Sequence, residues 1–286
     1  MKTIFGGIFI ILALLFPLSL SAQQGAKAAK AIVYGSHAKT GKYVSVNGIN
    51  LYYETYGTGE PLLMIHGNGG SIAYFKFQIP YFSKSYKVIA VDSRAQGKSI
   101  DPGDTLTYDM MAEDVCGLLD ALKISSANVI GWSDGGIIGL LLAINHPEKV
   151  KKLAITGANL SPDPSVFRPD ALATIPEAMA GLKAGKQDAV TKNALKLLNM
   201  MLVEPNIPLT DLRKIECPVL VMGGDNDAIR PAHTVQIFEN IPQAYLWILP
   251  AAGHGTLQRF SGEFNARVRK FFNEPYHKVK WDDFDH

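Results

Sequence analysis

The change of pattern around Ser133 constrains this chain more than any other feature of its sequence. An apolar run ends at Gly131, and a run of small and apolar residues with helical character begins at Asp134. The stretch between them has the form G-x-S-x-G, which is typical of a sharp strand-to-helix turn that holds a serine in strained backbone geometry. The alternative is an ordinary strand–turn–helix junction with an incidental serine. The apolar helix that follows, which ends near His146-Pro147, favours the first interpretation.

Apolar strands alternate with helices on both sides of this turn. We predict strands at 43–48, 49–56, 61–65, 86–91, 128–131, 150–157, 218–224 and 244–249, and helices at 71–84, 106–122, 134–145, 231–240 and 258–273. Asn47-Gly48 is a hairpin signal between the first two strands. Elsewhere the alternation indicates parallel strands joined by right-handed crossovers. We therefore predict an α/β fold, with a mostly parallel eight-stranded sheet and helices on both faces.

The alternation stops at residues 158–215, where proline-punctuated stretches surround helical runs predicted at 169–184 and 186–202. Because this segment lies between two strands of the sheet, we predict that it forms a helical cap over one end of the sheet. Such a cap either shapes a substrate pocket or is merely a structural insert. The core would then comprise residues 42–157 and 216–273. The C-terminal tail, residues 274–286, has no periodicity, and we assign it no structure.

Residues 1–22 have the pattern of a secretory signal peptide, with Lys2 before an apolar region at 4–15 and small residues at the end. An uncleaved membrane anchor is the alternative, but the apolar stretch is short and Pro17 interrupts it. Residues 23–41 are rich in Ala, Lys and Gly, which predicts a flexible tether. We therefore expect the mature protein to be periplasmic or secreted, without stable membrane insertion after cleavage.

Composition excludes several classes of function. The net charge is only +2 and the basic residues form no stripe, so nucleic-acid binding has no electrostatic support. The glycine-rich loop at 67–70 lacks the dinucleotide fingerprint, and Asp225-Asn226-Asp227 lacks the other ligands of a calcium loop. We therefore expect neither a cofactor nor a metal. Cys116 and Cys217 resemble small buried hydrophobic residues, although export would allow a disulfide between them.

A serine nucleophile needs a base and an acid, which an open α/β sheet supplies from loops at the carboxyl ends of its strands. His254 lies in such a loop with a glycine on each side, and a structural or surface histidine is the alternative. Asp225 and Asp227 both follow the strand before. We predict that Asp227 is the acid, because the extra loop lets its carboxylate turn toward His254, whereas Asp225 would brace the loop. The chain order serine, aspartate, histidine is the order expected on such a sheet.

Two backbone amides would complete this site by binding the oxyanion that forms when the serine attacks a carbonyl group. The amide of Asp134 directly follows the nucleophile. The second is predicted to be that of Asn68, since glycines at 67, 69 and 70 let this backbone approach closely.

Five motifs between about residues 43 and 272 carry a resemblance to the α/β-hydrolase superfamily. They are His66-Gly67-Asn68-Gly69-Gly70, Asp92-x-Arg94-x-x-Gly97-x-Ser99, Gly131-Trp132-Ser133-Asp134-Gly135-Gly136, Gly224-x-x-Asp227 and Gly253-His254. The resemblance implies a serine hydrolase with Ser133, Asp227 and His254 as its catalytic triad. It also implies that Asp92 and Arg94 brace a turn, in which Ala95 stands where members usually have glycine.

The sequence Gly-Trp-Ser-Asp-Gly-Gly also resembles the valacyclovir-hydrolase-like enzymes, which cleave esters of α-amino acids. In that group the aspartate after the nucleophile helps to bind the ammonium of the substrate. The resemblance therefore implies that Asp134, with its neighbour Trp132, binds substrate. The alternative is that Asp134 only favours the helix N-terminus.

The predicted function is that of an exported serine hydrolase, which cleaves a carboxylic ester, or an amide, of a small molecule. The alternatives in the same fold are a lipid or aryl esterase, a carbon–carbon bond hydrolase and an aminopeptidase. A ligand-binding protein with low turnover is the alternative from another class. The sequence does not indicate the oligomeric state.

Overall fold

The computed structural model describes residues 32–278, which form one eight-stranded sheet. Its strands are β1 Gly41–Val46, β2 Ile49–Tyr56, β3 Glu60–Ile65, β4 Tyr86–Val91, β5 Ala127–Trp132, β6 Val150–Thr156, β7 Val219–Gly224 and β8 Ala244–Leu249. They lie in the order β1-β2-β4-β3-β5-β6-β7-β8. Strand β2 pairs antiparallel with β1 and with β4, and all the other neighbours are parallel. This confirms the predicted mostly parallel sheet.

Helices cover both faces of the sheet. They are α1 Ile79–Phe82, α2 Tyr108–Ala121, α3 Asp134–Asn145, α4 Pro169–Leu172, α5 Thr174–Ala184, α6 Ala189–Val203, α7 Pro231–Asn240, α8 Thr256–Arg259 and α9 Ser261–Asn273. Helices α2, α3 and α7 pack in one apolar cluster, and α1 and α9 pack in the other. In β3, Leu63 and Ile65 belong to the first cluster and Leu62 and Met64 to the second, as the alternation of side chains along a strand requires.

Several predicted helices differ in detail from the observed ones. The single helix predicted at 71–84 is wrong: a 3₁₀ turn at Ile72–Phe75 precedes α1, and Pro80 lies in the first turn of α1, where its missing N–H costs no helical hydrogen bond. The helix predicted at 106–122 begins two residues later, because the hydroxyl of Thr107 accepts a hydrogen bond from the N–H of Met110 at 3.1 Å and caps α2.

The segment at 158–215, called the cap segment below, lies between β6 and β7 and contains α4, α5 and α6. It contacts the loops that follow two strands of the sheet. The N–H of Arg168 donates to the carbonyl oxygen of Ala228 at 2.9 Å, after β7, and the side-chain amide of Asn193 donates to the carbonyl oxygen of Ala95 at 2.6 Å, after β4. These bonds join the segment to the loops at the carboxyl ends of β4 and β7.

The residues before β1 are held against the sheet. The buried carboxylate of Glu54 accepts hydrogen bonds from the backbone N–H groups of Gly35 at 2.9 Å and His37 at 2.8 Å. It also accepts from the hydroxyls of Tyr52 and Tyr56, both at 2.7 Å. This part of the predicted tether is therefore docked on β2.

The predicted signal peptide, tether residues 23–31 and tail residues 279–286 lie outside the described residues. No helix within residues 32–278 is long and apolar enough to cross a membrane. The thiols of Cys116 and Cys217 are both free and buried, so no disulfide joins them. Burial raises the pKa of Cys217 to about 12.

Candidate active site

Ser133 alone forms the turn between β5 and α3. Its φ is 56° and its ψ is −119°, a positive-φ conformation that residues other than glycine rarely adopt. Glycines make the turn possible, because a Cβ on Gly131 would overlap the backbone of Gly135, and a Cβ on Gly135 would overlap the carbonyl oxygen of Ile65. The sharp turn predicted around this serine is therefore present.

The loops after β7 and β8 bring Asp227 and His254 to Ser133. His254 Nε2 lies 2.9 Å from Ser133 Oγ, and His254 Nδ1 lies 2.6 Å from Asp227 Oδ1. The carboxylate of Asp227 is fully buried and also accepts from the N–H groups of Gly224 at 3.3 Å and Ile229 at 3.2 Å. With Nδ1–H donated to the carboxylate, Nε2 is the nitrogen that can accept the serine proton.

The electrostatics of this pair favour an ionised acid and a basic imidazole. Burial by itself disfavours the imidazolium, but the hydrogen bond and charge of Asp227, with the charge of Asp134, outweigh it and raise the pKa of His254. Burial also opposes ionisation of Asp227, yet the hydrogen bond and charge of His254 and two backbone N–H groups lower the pKa of this carboxyl. The carboxyl of Asp227 is therefore easier to ionise, and the imidazole of His254 is a stronger base, than the same groups free in water.

Asp225 has a different position from Asp227. It is exposed, and its carboxylate accepts hydrogen bonds from the N–H groups of Ala251 at 3.0 Å and Ala252 at 3.1 Å. It thus joins the loop after β7 to the loop that carries His254. The structure brings Asp227 into contact with the histidine, and Asp225 only braces the loop.

Residues 66–70, called the oxyanion loop below after the donor predicted in it, pack against the turn at Ser133. A Cβ on Gly67 would lie 2.9 Å from the Cβ of Ser133. The buried ring of His66 holds this loop, since its Nδ1–H donates to the carbonyl oxygen of Gly67 at 2.8 Å and its Nε2 accepts from the N–H of Ser93 at 3.1 Å. Burial lowers the pKa of His66 to about 4, so the ring is neutral. Within residues 32–278 the backbone N–H of Asn68 has no hydrogen-bond acceptor.

The carboxylate of Asp134 lies on the same side of Ser133 and is only 2% exposed. It accepts a hydrogen bond from the side-chain amide of Asn68 at 2.9 Å and another from the hydroxyl of Tyr108. Burial raises the pKa of Asp134 to about 6, although these two hydrogen bonds partly oppose the rise. Sequence reasoning missed Tyr108, because it lies at the start of α2 outside any recognisable motif.

Trp132 contacts the loop of the histidine. Its indole Nε1–H donates to the carbonyl oxygen of His254 at 2.8 Å, and its ring centre lies 5.8 Å from the imidazole and 5.0 Å from the ring of Tyr74. The indole N–H is therefore used within the protein, and only the partly exposed ring is left for the substrate contact predicted above. Neither this bond nor the role of Tyr74 has a signal in the sequence.

The side chains of Asp92 and Arg94 hold the turn after β4, which is the role that the resemblance implied for them. Asp92 accepts from the N–H groups of Ile72 and Lys98, both at 2.8 Å, and the guanidinium of Arg94 donates to buried Asp114 at 2.6 Å. Ala95 has a φ of 64°, so it adopts the left-handed backbone that glycine usually provides at this position of the family.

The described part of the chain offers a nucleophile, a base and an acid in hydrogen-bond contact, beside a backbone amide with no acceptor. Residues 32–278 contain no group of three or more His, Cys, Asp or Glu side chains arranged to hold a metal ion. The chemistry that these groups can perform is the transfer of an acyl group to serine and then to water.

The sequence and the fold of this chain are similar to those of known proteins. Residues 60–202 match the family described as "alpha/beta hydrolase fold". The mouse (Mus musculus) protein named "Serine hydrolase BPHL" is 29% identical over 252 residues, which cover 82% of this chain and 87% of that protein.

Solved structures agree with this match. One titled "Est816 as an N-Acyl homoserine lactone degrading enzyme" has a TM-score of 0.69 and 26% identity, covering 80% of this chain and 100% of that one. The bromoperoxidase from Bacillus anthracis has a TM-score of 0.71 at 23% identity over 82% of this chain and 100% of that one, which shows a shared fold. The chain therefore belongs to the α/β-hydrolase family, and it is a hydrolase.

Proposed function

We propose that this hydrolase cleaves a carboxylic ester of a small substrate through an acyl-enzyme on Ser133, with His254 as the base and Asp227 as the acid. The single observation that carries the proposal is the continuous hydrogen-bonded chain from Asp227 through His254 to Ser133, with distances of 2.6 and 2.9 Å. An imidazole whose pKa is raised by a buried carboxylate suits a general base that works near neutral pH.

The reaction follows from these contacts. His254 Nε2 takes the proton from Ser133 Oγ as the oxygen attacks the ester carbonyl carbon. The tetrahedral intermediate collapses, the bond to the leaving alcohol oxygen breaks, and His254 gives its proton to that oxygen. Water then attacks the acyl-enzyme with His254 again as the base, which releases the carboxylic acid and restores the serine. Asp227 holds the imidazole in the required tautomer throughout.

The negative charge on the carbonyl oxygen needs donors at the start of α3 and in the oxyanion loop. We assign these roles to the backbone N–H groups of Asp134 and Asn68. The contact between Gly67 and Ser133 and the lack of an acceptor for the Asn68 N–H within residues 32–278 support this assignment. Loss of one such donor costs roughly 10²–10³-fold in kcat in a serine hydrolase.

We further propose that esters of α-amino acids are favoured substrates. Asp134 directly follows the nucleophile, is buried, and receives hydrogen bonds from two neutral groups. Its negative charge would attract an ammonium group next to the scissile carbonyl. A panel that compares aminoacyl esters with matched simple acyl esters, lactones, amides and carbon–carbon substrates tests this preference. Equal kcat/KM for aminoacyl and simple acyl esters would remove it.

Export is the remaining part of the proposal and depends on residues 1–22. N-terminal sequencing of the protein recovered from a periplasmic or culture fraction should show cleavage near residue 22. Recovery of the intact N-terminus in the membrane fraction would favour the anchor instead.

The experiment that decides the mechanism is labelling of the folded protein with a fluorophosphonate, followed by mass spectrometry. A single adduct on Ser133, absent from the Ser133→Ala variant, is the expected result, because only an activated serine reacts with this reagent. A folded protein that binds esters saturably without an adduct or hydrolysis would instead be a ligand-binding protein.

A further inference from the structure

Asp134 is the one carboxylate beside Ser133 that the proposed proton transfers leave unused. Its side chain is 2% exposed, yet its partners are the amide of Asn68, at 2.9 Å, and the hydroxyl of Tyr108. One partner lies in the oxyanion loop and the other at the start of α2. Burial of a carboxylate is costly, so both hydrogen bonds are needed to keep it in place.

Few hydrogen bonds restrain the centre of the oxyanion loop. His66 fixes the beginning of the loop through the carbonyl of Gly67, and the N–H of Gly70 donates to that same carbonyl at 3.1 Å. Between these anchors lie Asn68 and Gly69, and Gly69 has a positive φ of 64°. In the part of the chain that the structure describes, the only hydrogen bond made by Asn68 is the one from its side chain to Asp134.

We propose that the Asp134 carboxylate is a positioning residue for the oxyanion loop, which holds the side-chain amide of Asn68 so that the backbone N–H of Asn68 stays beside Ser133. The inference rests on the proposed function, since it concerns the donor for the oxyanion of the acyl transfer. Asp134 then contributes twice: its backbone N–H is one donor and its side chain fixes the other.

Tyr108 is the second partner of the Asp134 carboxylate, and it also contacts the cap segment. The buried hydroxyl of Tyr108 donates to Asp134, and its backbone N–H donates to the carboxylate of Glu204, after α6, at 2.9 Å. The oxyanion loop is thereby joined to the core helix α2 and to the end of the cap segment. A charged acceptor suits this place, because hydrogen bonds to an ionised group are shorter and stronger than bonds between neutral groups.

Two alanine variants and their combination test the proposal with a simple neutral acyl ester, on which an ammonium-binding role has no effect. Asp134→Ala and Asn68→Ala should each lower kcat about tenfold, less than the roughly 10²–10³-fold cost of losing a whole donor, because the backbone N–H remains but is no longer held. KM should change by no more than about twofold, since the interaction is made in the transition state. At a pH above the acid limb, where the charge of Asp134 does not change the fraction of neutral His254, kcat of the double variant should fall by about the same factor as in either single variant, because both remove the same contact.

Asp134→Asn supplies the conservative comparison. Its amide oxygen can still accept from Asn68, and its NH₂ group can donate to the hydroxyl oxygen of Tyr108, so kcat on the neutral ester should fall less than in Asp134→Ala. Asn145→Ala is the matched control at the end of the same helix, where the side chain only donates to Asp109 at 3.4 Å on the surface. Its kcat should equal that of the unchanged protein.

Binding of an aryl boronic acid, which forms a tetrahedral adduct with an active serine, gives a readout that a loss of folding alone would not produce. Its Kd should rise in each alanine variant by the factor by which kcat/KM falls. Thermal unfolding confirms that each variant is folded. The positioning role would be overturned if the decreases in kcat of the two single variants multiplied in the double variant. It would also be overturned if KM rose while kcat stayed unchanged. In both cases the proposed function would stand. Absence of hydrolysis and labelling in the unchanged protein would overturn both.

Discussion

Two buried aspartates belong to the site around Ser133, and their environments shift their pKa values in opposite directions. Asp227, fully buried, faces an imidazole that can carry a positive charge, and its pKa is lowered. Asp134, 2% exposed, faces an amide and a phenol, and its pKa is raised to about 6. In the proposed mechanism the same side chain, at similar burial, thus serves proton transfer on the histidine side and the placement of a loop on the oxyanion side. The partner decides the role, more than the burial does.

The two sides are also built differently. The histidine side comes from the loops after β7 and β8, which Asp225 and the indole of Trp132 join to each other and to β5. The oxyanion side comes from the loop after β3 and the first turn of α3, which Asp134 and Asn68 join. Apart from the turn at Ser133 and the ring of Trp132, which packs near both His254 and Tyr74, the two sides use different loops. Substitutions of the other side chains on one side should therefore leave the geometry of the other intact.

The largest expected effect is on the histidine side. Asp227→Asn should lower kcat/KM for any ester by about 10⁴-fold, because an amide neither carries the charge that stabilises the imidazolium nor fixes the required tautomer. Steady-state kinetics with circular dichroism as the folding control measure this. A loss of only about tenfold, typical of a positioning residue, would erase the difference between the two aspartates.

The pH dependence of kcat/KM should distinguish the two sides next. His254 must be neutral to act as a base, and its pKa is raised, so the acid limb should have its midpoint above the ordinary value of about 6.5. Below that midpoint the rate should fall about tenfold per pH unit. Both carboxylates contribute to the raised pKa, and the contribution of Asp227 is larger.

Removal of either charge should move the acid limb to lower pH. The shift should be larger in Asp227→Asn than in Asp134→Asn, and pH–rate profiles of both variants measure it. The reverse order would mean that the charge of Asp134 affects the pKa of His254 more than the charge of Asp227 does.

A smaller effect should come from Trp132→Phe, which keeps an aromatic ring but removes the N–H that donates to the carbonyl oxygen of His254. A net hydrogen bond of about 1 kcal/mol corresponds to a roughly fivefold decrease in kcat. The matched control is Trp247→Phe in β8, whose ring contacts the guanidinium of Arg267 away from the site. Equal rates in the two variants would show that the indole N–H of Trp132 does not contribute to kcat and that its ring serves only for packing.

The smallest effect is expected for Asp225→Asn, with kcat lowered by less than about threefold, because the side chain is exposed and an amide oxygen can still accept from the N–H of Ala251 or from that of Ala252. Measured beside Asp227→Asn, it tests the assignment of the acid within one loop. A loss as large as that in Asp227→Asn would show that the brace at Asp225, rather than contact with the imidazole, controls the histidine side.

The sequence by itself determined the order of strands and helices, the turn at Ser133 and the loops that carry Asp227 and His254. These features are local, because the burial pattern of a strand and the positive φ of Ser133 depend on neighbours within a few residues, such as Gly131 and Gly135. Even within this local pattern, residues 71–84 form a 3₁₀ turn and the short helix α1, which begins next to Pro80, where a single helix was predicted.

Only the tertiary structure decided which groups surround these loops. Trp132 and His254 are 122 residues apart, and Asn68 and Asp134 are 66 apart, yet each pair is joined by a hydrogen bond. Such pairs form because the sheet order places β3 beside β5 and aligns the ends of its parallel strands. No local pattern encodes that register, so the contacts of Tyr108, Trp132 and the Asp134 carboxylate became visible only when the strands were in place.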